Sequence, residues 1–454
     1  MGSRFGRMAE IMTKRKPTVV VIAGTTAVGK TDLSLELARR LEGEVVSVDS
    51  VQVYRQMNVG SAKIDVASCP DVPHHLLDVV DVSQSFSALD YYNLAVPVIQ
   101  VSYQLTNGSR SLFVHEIISH SCMELDRAIK LGFISLCIHL HTVGRVPLVV
   151  GGTGLYVRTL LQGPSGAPAS TPETIERVEA MVAEDGQDWE KSLQRLRGLD
   201  PQCAESLEMN DWYRLKRALD ICTQSGRTAT SFKKEPDDYS SPFHFKCLFL
   251  TMPRVLLCQR IDSRCELIVE QGLFQEVMNL VHHHGLVTDT PAGRSLGYRQ
   301  ALEWLRDTWG FPDHDRTEPY TPKIPREQLK ESFLSFLFTY KARTRALAQQ
   351  QLTWHRKGGR FTWLNMAPGP EGRRLDVGEV GERVTQWLEN DTPFPPEWDG
   401  ASLMTLSKEE VQYMKQYSSL HSKPEIFSDP VKIEILLGEI ESALQRTLEP
   451  CHTS

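Results

Sequence analysis

The sequence predicts an α/β fold in which a parallel sheet carries a phosphate-binding loop and is covered by helices on both faces. Two observations predict it. Short runs that are apolar throughout alternate with helical patterns, as expected for strands that are buried on both sides. The glycine-rich stretch GTTAVGKT at residues 24–31, called the P-loop below, stands between the first apolar run and the first helical pattern. A helical insertion domain and an acidic C-terminal extension complete the predicted architecture.

Five apolar runs are predicted to form the strands, at residues 18–23, 44–48, 76–82, 145–150 and 245–251. The first two helices are predicted over residues 31–41 and 87–100. Ligands of parallel sheets bind at the carboxyl ends of the strands. The P-loop, Asp49-Ser50 and Gly151-Gly152-Thr153 each follow a predicted strand, so we expect these three loops to line one cleft.

The predicted domain organisation has five parts. Residues 1–16 form a basic extension with five bases and one acid, which is either an irregular lead-in or the stub of an organelle-targeting peptide. Residues 17–169 form the first part of the core, residues 170–238 the helical insertion, residues 239–365 the second part of the core, and residues 366–454 an acidic tail without an assigned role. We therefore expect a cytoplasmic or an organellar protein, and the sequence leaves both open.

Charge is unevenly distributed along the chain. The net charge is −7, but residues 366–454 alone hold sixteen acids and eight bases. Residues 214–234 carry six bases and one acid, and residues 323–360 carry nine bases and two acids. Two such patches would suit a nucleic-acid backbone, although charge alone does not separate this from solvated helix faces. No apolar stretch reaches the roughly 20 residues that a membrane span requires, so no membrane contact is predicted.

The P-loop predicts a phosphate or diphosphate site. Backbone N–H groups and the start of a helix converge there on one anion. Lys30 adds a positive charge, and the Thr31 hydroxyl is the predicted Mg²⁺ ligand. The residues predicted to bind the phosphate groups are Gly24, Thr25, Thr26, Ala27, Val28, Gly29, Lys30 and Thr31.

Five further strings accompany the P-loop. They read Asp49-Ser50-Val51-Gln52, Gly60-Ser61-Ala62-Lys63, Pro73-His74-His75-Leu76-Leu77-Asp78, Gly151-Gly152-Thr153-Gly154 and Gly297-Tyr298-Arg299-Gln300. As a set they resemble the tRNA dimethylallyltransferase family over residues 17–365. No zinc-finger spacing of Cys and His follows residue 365, so the resemblance is to the bacterial or organellar type.

The resemblance implies transfer of a dimethylallyl group from dimethylallyl diphosphate to N6 of the adenosine next to the anticodon of tRNA, with Mg²⁺ as cofactor. It implies that Asp49 is the general base, because an adenine amine must lose a proton as the new bond forms. Thr26, Lys30 and Arg264 then hold the diphosphate that leaves.

The resemblance also implies contacts with the anticodon stem-loop of tRNA. We expect the protein to act as a monomer. Two of the implied segments fall in the basic patches. The implied tRNA-binding residues are Asp49, Ser50, Val51, Gln52, Thr153, Tyr213, Arg214, Lys216, Arg217, Arg294, Gly297, Tyr298, Arg299, Gln351, Trp354 and Arg356. Many members of the family carry Lys-Arg where this chain has Gln349-Gln350, which removes two cations from an expected phosphate contact.

The chain departs from the family pattern at residues 101–143, an insertion that we expect to be a poorly ordered excursion. It is a native loop or an artefact of splicing or gene prediction, and the sequence does not rank these. Three alternative functions stay open: an adenylate isopentenyltransferase that makes cytokinin from free nucleotides, a P-loop kinase, and a tRNA-binding protein inactivated by the insertion.

Overall fold

The computed structural model describes residues 18–104, 146–232, 243–313, 318–356, 359–367, 375–405, 407–420 and 424–448. Two compact units are distinguished, and the smaller one comprises Arg158–Ser241. The basic extension at residues 1–16 and residues 105–143 of the predicted insertion lie outside the described residues. Residues 101–104 belong to a helix. None of the helices in the described ranges is long and apolar enough to cross a membrane.

A six-stranded sheet forms the centre of the larger unit, in the order β3-β2-β4-β1-β5-β6. Every paired neighbour is parallel. All residues of β2 and β4 and all but the first of β1 are buried, and successive residues point to opposite faces. The predicted parallel sheet covered on both faces is therefore confirmed. The strands are β1 (Thr18–Gly24), β2 (Glu44–Ser47), β3 (His74–His75), β4 (Pro147–Gly151), β5 (His244–Thr251) and β6 (Thr362–Asn365).

The predicted strand at residues 76–82 is wrong. The observed strand, β3, consists of His74 and His75 and ends before this range. Within residues 76–82, Val80 forms an isolated bridge with Tyr54. Leu76 and Asp78 have φ values of 61° and 54°. These left-handed conformations cannot continue an extended strand, although the residues around them are apolar.

Helices connect the strands and extend the core on the C-terminal side. The helices of the larger unit that precede residue 357 are α1 (Lys30–Arg40), α2 (Ala88–Gln104), α8 (Arg254–Glu270), α9 (Leu273–His284), α10 (Tyr298–Trp309) and α11 (Arg326–Arg356). One helix, α3 (Gly154–Gln162), contains the boundary between the units. The smaller unit contains α4 (Pro172–Glu184), α5 (Trp189–Leu199), α6 (Pro201–Ser206) and α7 (Trp212–Ser225). Buried Leu196, Leu215 and Leu219 belong to its own apolar core.

The acidic extension is folded onto the core, which its composition did not indicate. It forms α12 (Val377–Asn390), α13 (Lys408–Leu420) and α14 (Pro430–Arg446). Val380, Phe427 and Leu437 are buried in the same apolar cluster as the sheet. The segment is therefore acidic in composition, but its buried apolar side chains complete the main core.

Candidate active site

A cleft of about 730 Å³ opens at the carboxyl ends of β1, β2 and β4. The P-loop follows β1, Asp49–Gln52 follow β2, and Gly152–Leu155 follow β4, and all three loops line the cleft. The expectation that they meet in one place is confirmed. The remaining walls come from Gly60–Ala62, from Leu296, from one face of α8 and from one face of α11.

The P-loop has a backbone that few sequences can adopt. Gly29 has a φ of 100° and Ala27 a φ of 63°, both in the left-handed region. A Cβ on Gly24 would lie 2.8 Å from the carbonyl oxygen of Leu250 on the neighbouring strand. Helix α1 starts directly afterwards at Lys30, so its unpaired N–H groups face the cleft end of the sheet. This geometry is an anion site.

Lys30 stands inside the P-loop. Its Nζ donates to the carbonyl oxygens of Thr25 at 2.7 Å and Gly24 at 3.1 Å. Burial, followed by the positive charge of Arg264, lowers the pKa of Lys30 to about 8, and Asp49 acts in the opposite direction. The ammonium is therefore held close to a second cation, and a bound polyanion would relieve the repulsion between them.

Arg264 reaches the cleft from α8. It lines the cleft and is close enough to Lys30 to lower the pKa of its ammonium group. The predicted diphosphate contacts Thr26, Lys30 and Arg264 are thus brought together, from segments separated by more than two hundred residues of sequence.

Asp49 lines the cleft and is close enough to Lys30 for its negative charge to act on the pKa of that ammonium group. Its Oδ1 accepts hydrogen bonds from the N–H groups of Val51 at 2.9 Å and Gln52 at 3.4 Å. The N–H of Ser50 donates to Thr153 Oγ1 at 2.9 Å, which ties this turn to the loop after β4. The carboxylate is therefore both the cap of a turn and a wall of the cleft, and its position is fixed by the backbone.

Glu276, on α9, is a residue of the site that the sequence did not indicate. Its Oε2 accepts from the N–H groups of Asn58 at 2.8 Å and Val59 at 2.7 Å. Its Oε1 accepts from the N–H of Gly60 at 3.0 Å and from the hydroxyl of Tyr298 at 2.6 Å. One carboxylate thus holds the loop whose next residues line the cleft. No motif marks an isolated glutamate in the middle of a helix.

Tyr298 is a correction to the implied tRNA contacts. Its side chain is fully buried, its hydroxyl bonds Glu276, and a Cβ on Gly60 would lie 2.6 Å from its ring. It therefore supports the loop at residues 58–60 and is not a surface for RNA. Gly297 precedes it with a φ of 88° and donates its N–H to Gln300 Oε1 at 2.7 Å, so its place in the chain is likewise structural.

The implied tRNA contacts on α7 belong to the smaller unit. Tyr213 is 79% exposed, and the Arg214 side chain is 63% exposed and pairs with Asp211. Lys216 pairs with Glu179 at 2.7 Å, whereas Arg217 is bound to Asp220 and to its neighbours within the unit. Tyr213 and Arg214 are therefore presented to solvent, and Arg217 serves the internal structure.

The remaining implied contacts lie in the larger unit. Arg294 and Arg299 are exposed next to the buried Tyr298. Trp354 is 39% exposed on α11 and lines the cleft, and Arg356 ends this helix at the surface. The Gln351 side chain makes both of its hydrogen bonds within the protein, to Thr26 and Gly152.

The oxygen ligands near the P-loop suit a hard cation. Thr31, Asp32 and Asp49 line the cleft. Within the described part of the chain, no group of three His, Cys, Asp or Glu side chains could hold a metal ion by itself. A cation here would need additional oxygen atoms from a ligand or from water, which is the usual coordination of Mg²⁺.

Comparison with known proteins agrees with this geometry. Residues 52–114 and 132–358 match the profile of a family described as IPP transferase. The break at residues 115–131 falls within the expected insertion. The chain is 32% identical over 357 residues to a protein of Protochlamydia amoebophila named tRNA dimethylallyltransferase, with 78% of this chain and 85% of the relative aligned.

A plant relative and a solved structure complete the comparison. The chain is 31% identical to a protein of Arabidopsis thaliana named tRNA dimethylallyltransferase 9, over 77% of this chain and 72% of the relative. A crystallographically characterised eukaryotic dimethylallyltransferase acting on tRNA shares the fold, with a TM-score of 0.50 and 21% identity over 94% of this chain and 85% of that one.

Proposed function

This chain belongs to the IPP transferase family, and on that premise we propose that it prenylates adenosine in tRNA. The donor in this proposal is dimethylallyl diphosphate, and the acceptor is N6 of the adenosine next to the anticodon. The names of the relatives from Protochlamydia amoebophila and Arabidopsis thaliana support the reaction class. The observation that carries the proposal is that an anion-binding loop and the Asp49 carboxylate line the same cleft.

The proposed reaction exchanges one bond for another. The bond between the allylic carbon and the diphosphate oxygen breaks, and its electron pair stays on the diphosphate. The lone pair of N6 forms the new bond to carbon, and the N6 proton passes to Asp49. Lys30, Arg264 and the N–H groups at the start of α1 stabilise the charge that develops on the leaving group.

Mg²⁺ is part of the proposal. The hydroxyl of Thr31 would hold it together with oxygen atoms of the diphosphate, and Asp32 lies at the same end of the cleft. When bound, Mg²⁺ neutralises charge on the diphosphate. The protein residues then orient the donor and exclude water from the allylic carbon.

The acceptor is proposed to enter as a nucleotide turned out of its stack, because an adenine within a stacked loop cannot reach a cleft of this kind. Exposed Tyr213 and Arg214, and exposed Arg294, Arg299 and Arg356, are the proposed contacts with the tRNA. The four arginines would fix the position of the tRNA on the protein by contacting its phosphates, and they would not read bases. The protein is proposed to act as a monomer, in the cytoplasm or in an organelle.

The test is transfer from labelled dimethylallyl diphosphate to unmodified tRNA, to AMP or to ATP. We expect label in tRNA and released diphosphate. Preferred labelling of AMP would instead identify an adenylate isopentenyltransferase, and a phosphorylated product formed from ATP would identify a kinase. Binding of tRNA without transfer, persisting after deletion of residues 101–143, would identify an inactive binding protein.

Replacing Asp49 by Asn tests the proposed base. We expect the single-turnover rate of transfer to fall by roughly 10²–10⁴, while affinity for tRNA stays the same. Asp71→Asn is the control, because Asp71 is an exposed partner of Arg39 away from the cleft. Equal losses of rate and of tRNA affinity in Asp49→Asn would contradict the role of a base.

A further inference from the structure

One face of α11 forms a wall of the cleft. Tyr340, Thr344, Leu347, Gln351 and Trp354 line it, at the spacing of three and four residues that places side chains on one side of a helix. Gln351 is the member whose polar group reaches the P-loop.

The Gln351 amide joins two of the loops that end strands. Its Oε1 accepts from the N–H of Thr26 at 2.9 Å, and its Nε2 donates to the carbonyl oxygen of Gly152 at 3.1 Å. The opposite orientation of the amide would set two donors against each other and two acceptors against each other. The contacts therefore require an amide at this position, and they link Gln351 to residues that are 325 and 199 positions away in sequence.

The loop after β4 leaves space for this side chain. A Cβ on Gly152 would lie 2.4 Å from Gln351 Nε2, so the glycine makes room for the amide. One turn further along α11, His355 Nδ1 lies 2.8 Å from the carbonyl oxygen of Gln351. His355 itself is buried, with its ring 4.6 Å from that of Phe249. This turn of the helix is thus anchored to β5.

We infer that Gln351 is a positioning residue of the diphosphate site, which it serves by clamping the P-loop to the loop after β4. This inference rests on the function proposed above. The P-loop contains two left-handed residues, Ala27 and Gly29, and backbone donors bind an anion best when they are held in place beforehand. Gln351 provides that hold through its hydrogen bonds to Thr26 and Gly152.

The family resemblance implies a different role for Gln351, that of a tRNA contact. The two roles predict losses in different binding equilibria. A positioning residue changes affinity for diphosphate in the absence of RNA, whereas an RNA contact changes affinity for the anticodon stem-loop and leaves diphosphate binding as it was.

The experiment measures both affinities on the full-length protein. Inorganic diphosphate with Mg²⁺ is titrated by calorimetry, and an unmodified anticodon stem-loop is titrated by fluorescence anisotropy. The variants are Gln351→Ala and Gln351→Met, the second of which keeps the volume but loses both hydrogen bonds. Gln349→Ala is the matched control, because Gln349 lies on the same helix, is exposed and bonds Thr353 within it.

We expect both Gln351 variants to weaken diphosphate binding about tenfold, as the loss of two neutral hydrogen bonds allows. Affinity for the stem-loop should be unchanged, which also shows that the variants are folded. Gln349→Ala should leave diphosphate binding at the wild-type level. Unchanged diphosphate binding in both Gln351 variants, or a loss confined to the stem-loop, would overturn the inference. Failure of the wild-type protein to bind diphosphate would instead refute the proposed function.

Discussion

Two glutamates ten residues apart make the same set of contacts in two regions of the molecule. Glu276 on α9 accepts three consecutive backbone N–H groups from residues 58–60 and one hydroxyl, that of Tyr298. Glu266 on α8 accepts three consecutive N–H groups from residues 425–427 and pairs with the Lys341 ammonium. Each carboxylate fixes a distant segment through its backbone, so the sequence of that segment is almost irrelevant to the contact.

Glu266 and Glu276 differ in burial and in the charge of their fourth donor. Glu266 is fully buried and its fourth partner is a cation, whereas Glu276 is half-buried and its fourth partner is neutral. The segment that Glu266 holds leads into α14 and completes the core. The segment that Glu276 holds lines the cleft. The same hydrogen-bond pattern therefore supports stability in one region and the active site in the other.

The largest effect is expected from Glu266→Gln. The amide cannot balance the Lys341 charge, and its NH₂ group must face a donor. We expect the free energy of unfolding to fall by about 3–5 kcal/mol, measured by urea denaturation, as for a buried ion pair that loses one partner. The transfer rate per folded molecule should stay at the wild-type level.

The control for this variant is Glu270→Gln, on the same helix. Glu270 pairs with Lys432 at 2.9 Å, and both side chains are more than 40% exposed. Loss of an exposed pair should cost less than about 1 kcal/mol. Similar losses in the two variants would show that burial of Glu266 contributes nothing.

Glu276→Gln should have the next largest effect, and mainly on catalysis. The amide keeps one acceptor oxygen, but its NH₂ group must face a donor of the loop at residues 58–60 or the Tyr298 hydroxyl, so the wall formed by Gly60–Ala62 shifts. We expect kcat to fall by about 10–10², with a stability loss of about 1–3 kcal/mol. Glu266→Gln is here the matched comparison. Equal reductions of kcat per folded molecule in the two variants would contradict the assignment of Glu276 to the active site and of Glu266 to stability.

The smallest effect is expected from Tyr298→Phe. This variant removes one neutral hydrogen bond and keeps the ring that packs on Gly60, so the three backbone donors still hold Glu276. We expect a stability loss of about 1 kcal/mol by thermal or urea unfolding. Affinity for an anticodon stem-loop should not change, because the side chain is buried. Weaker binding of the stem-loop would restore Tyr298 as an RNA contact.

The parts of the fold that local sequence encodes were predicted well. β1, the P-loop and α1 follow one another without interruption, and their conformations depend on glycines and apolar residues within that stretch. β6 was not predicted, because four residues at the edge of the sheet give no periodic signal, and β5 is the one named strand with which they pair. In α14 the buried Ile433, Leu437 and Ile440 have helical spacing, but the acidic composition of the segment obscured it.

The sequence by itself determined that an anion-binding loop, Asp49 and basic helices belong to one α/β protein. Only the tertiary structure decided which side chains hold the cleft in shape. Glu276 meets Val59 across 217 residues, and Gln351 meets Thr26 across 325. Each of these contacts joins a single side chain to a single backbone group. They leave no periodicity or composition in the chain, and they form only where the folded backbone brings a donor and an acceptor within hydrogen-bond distance.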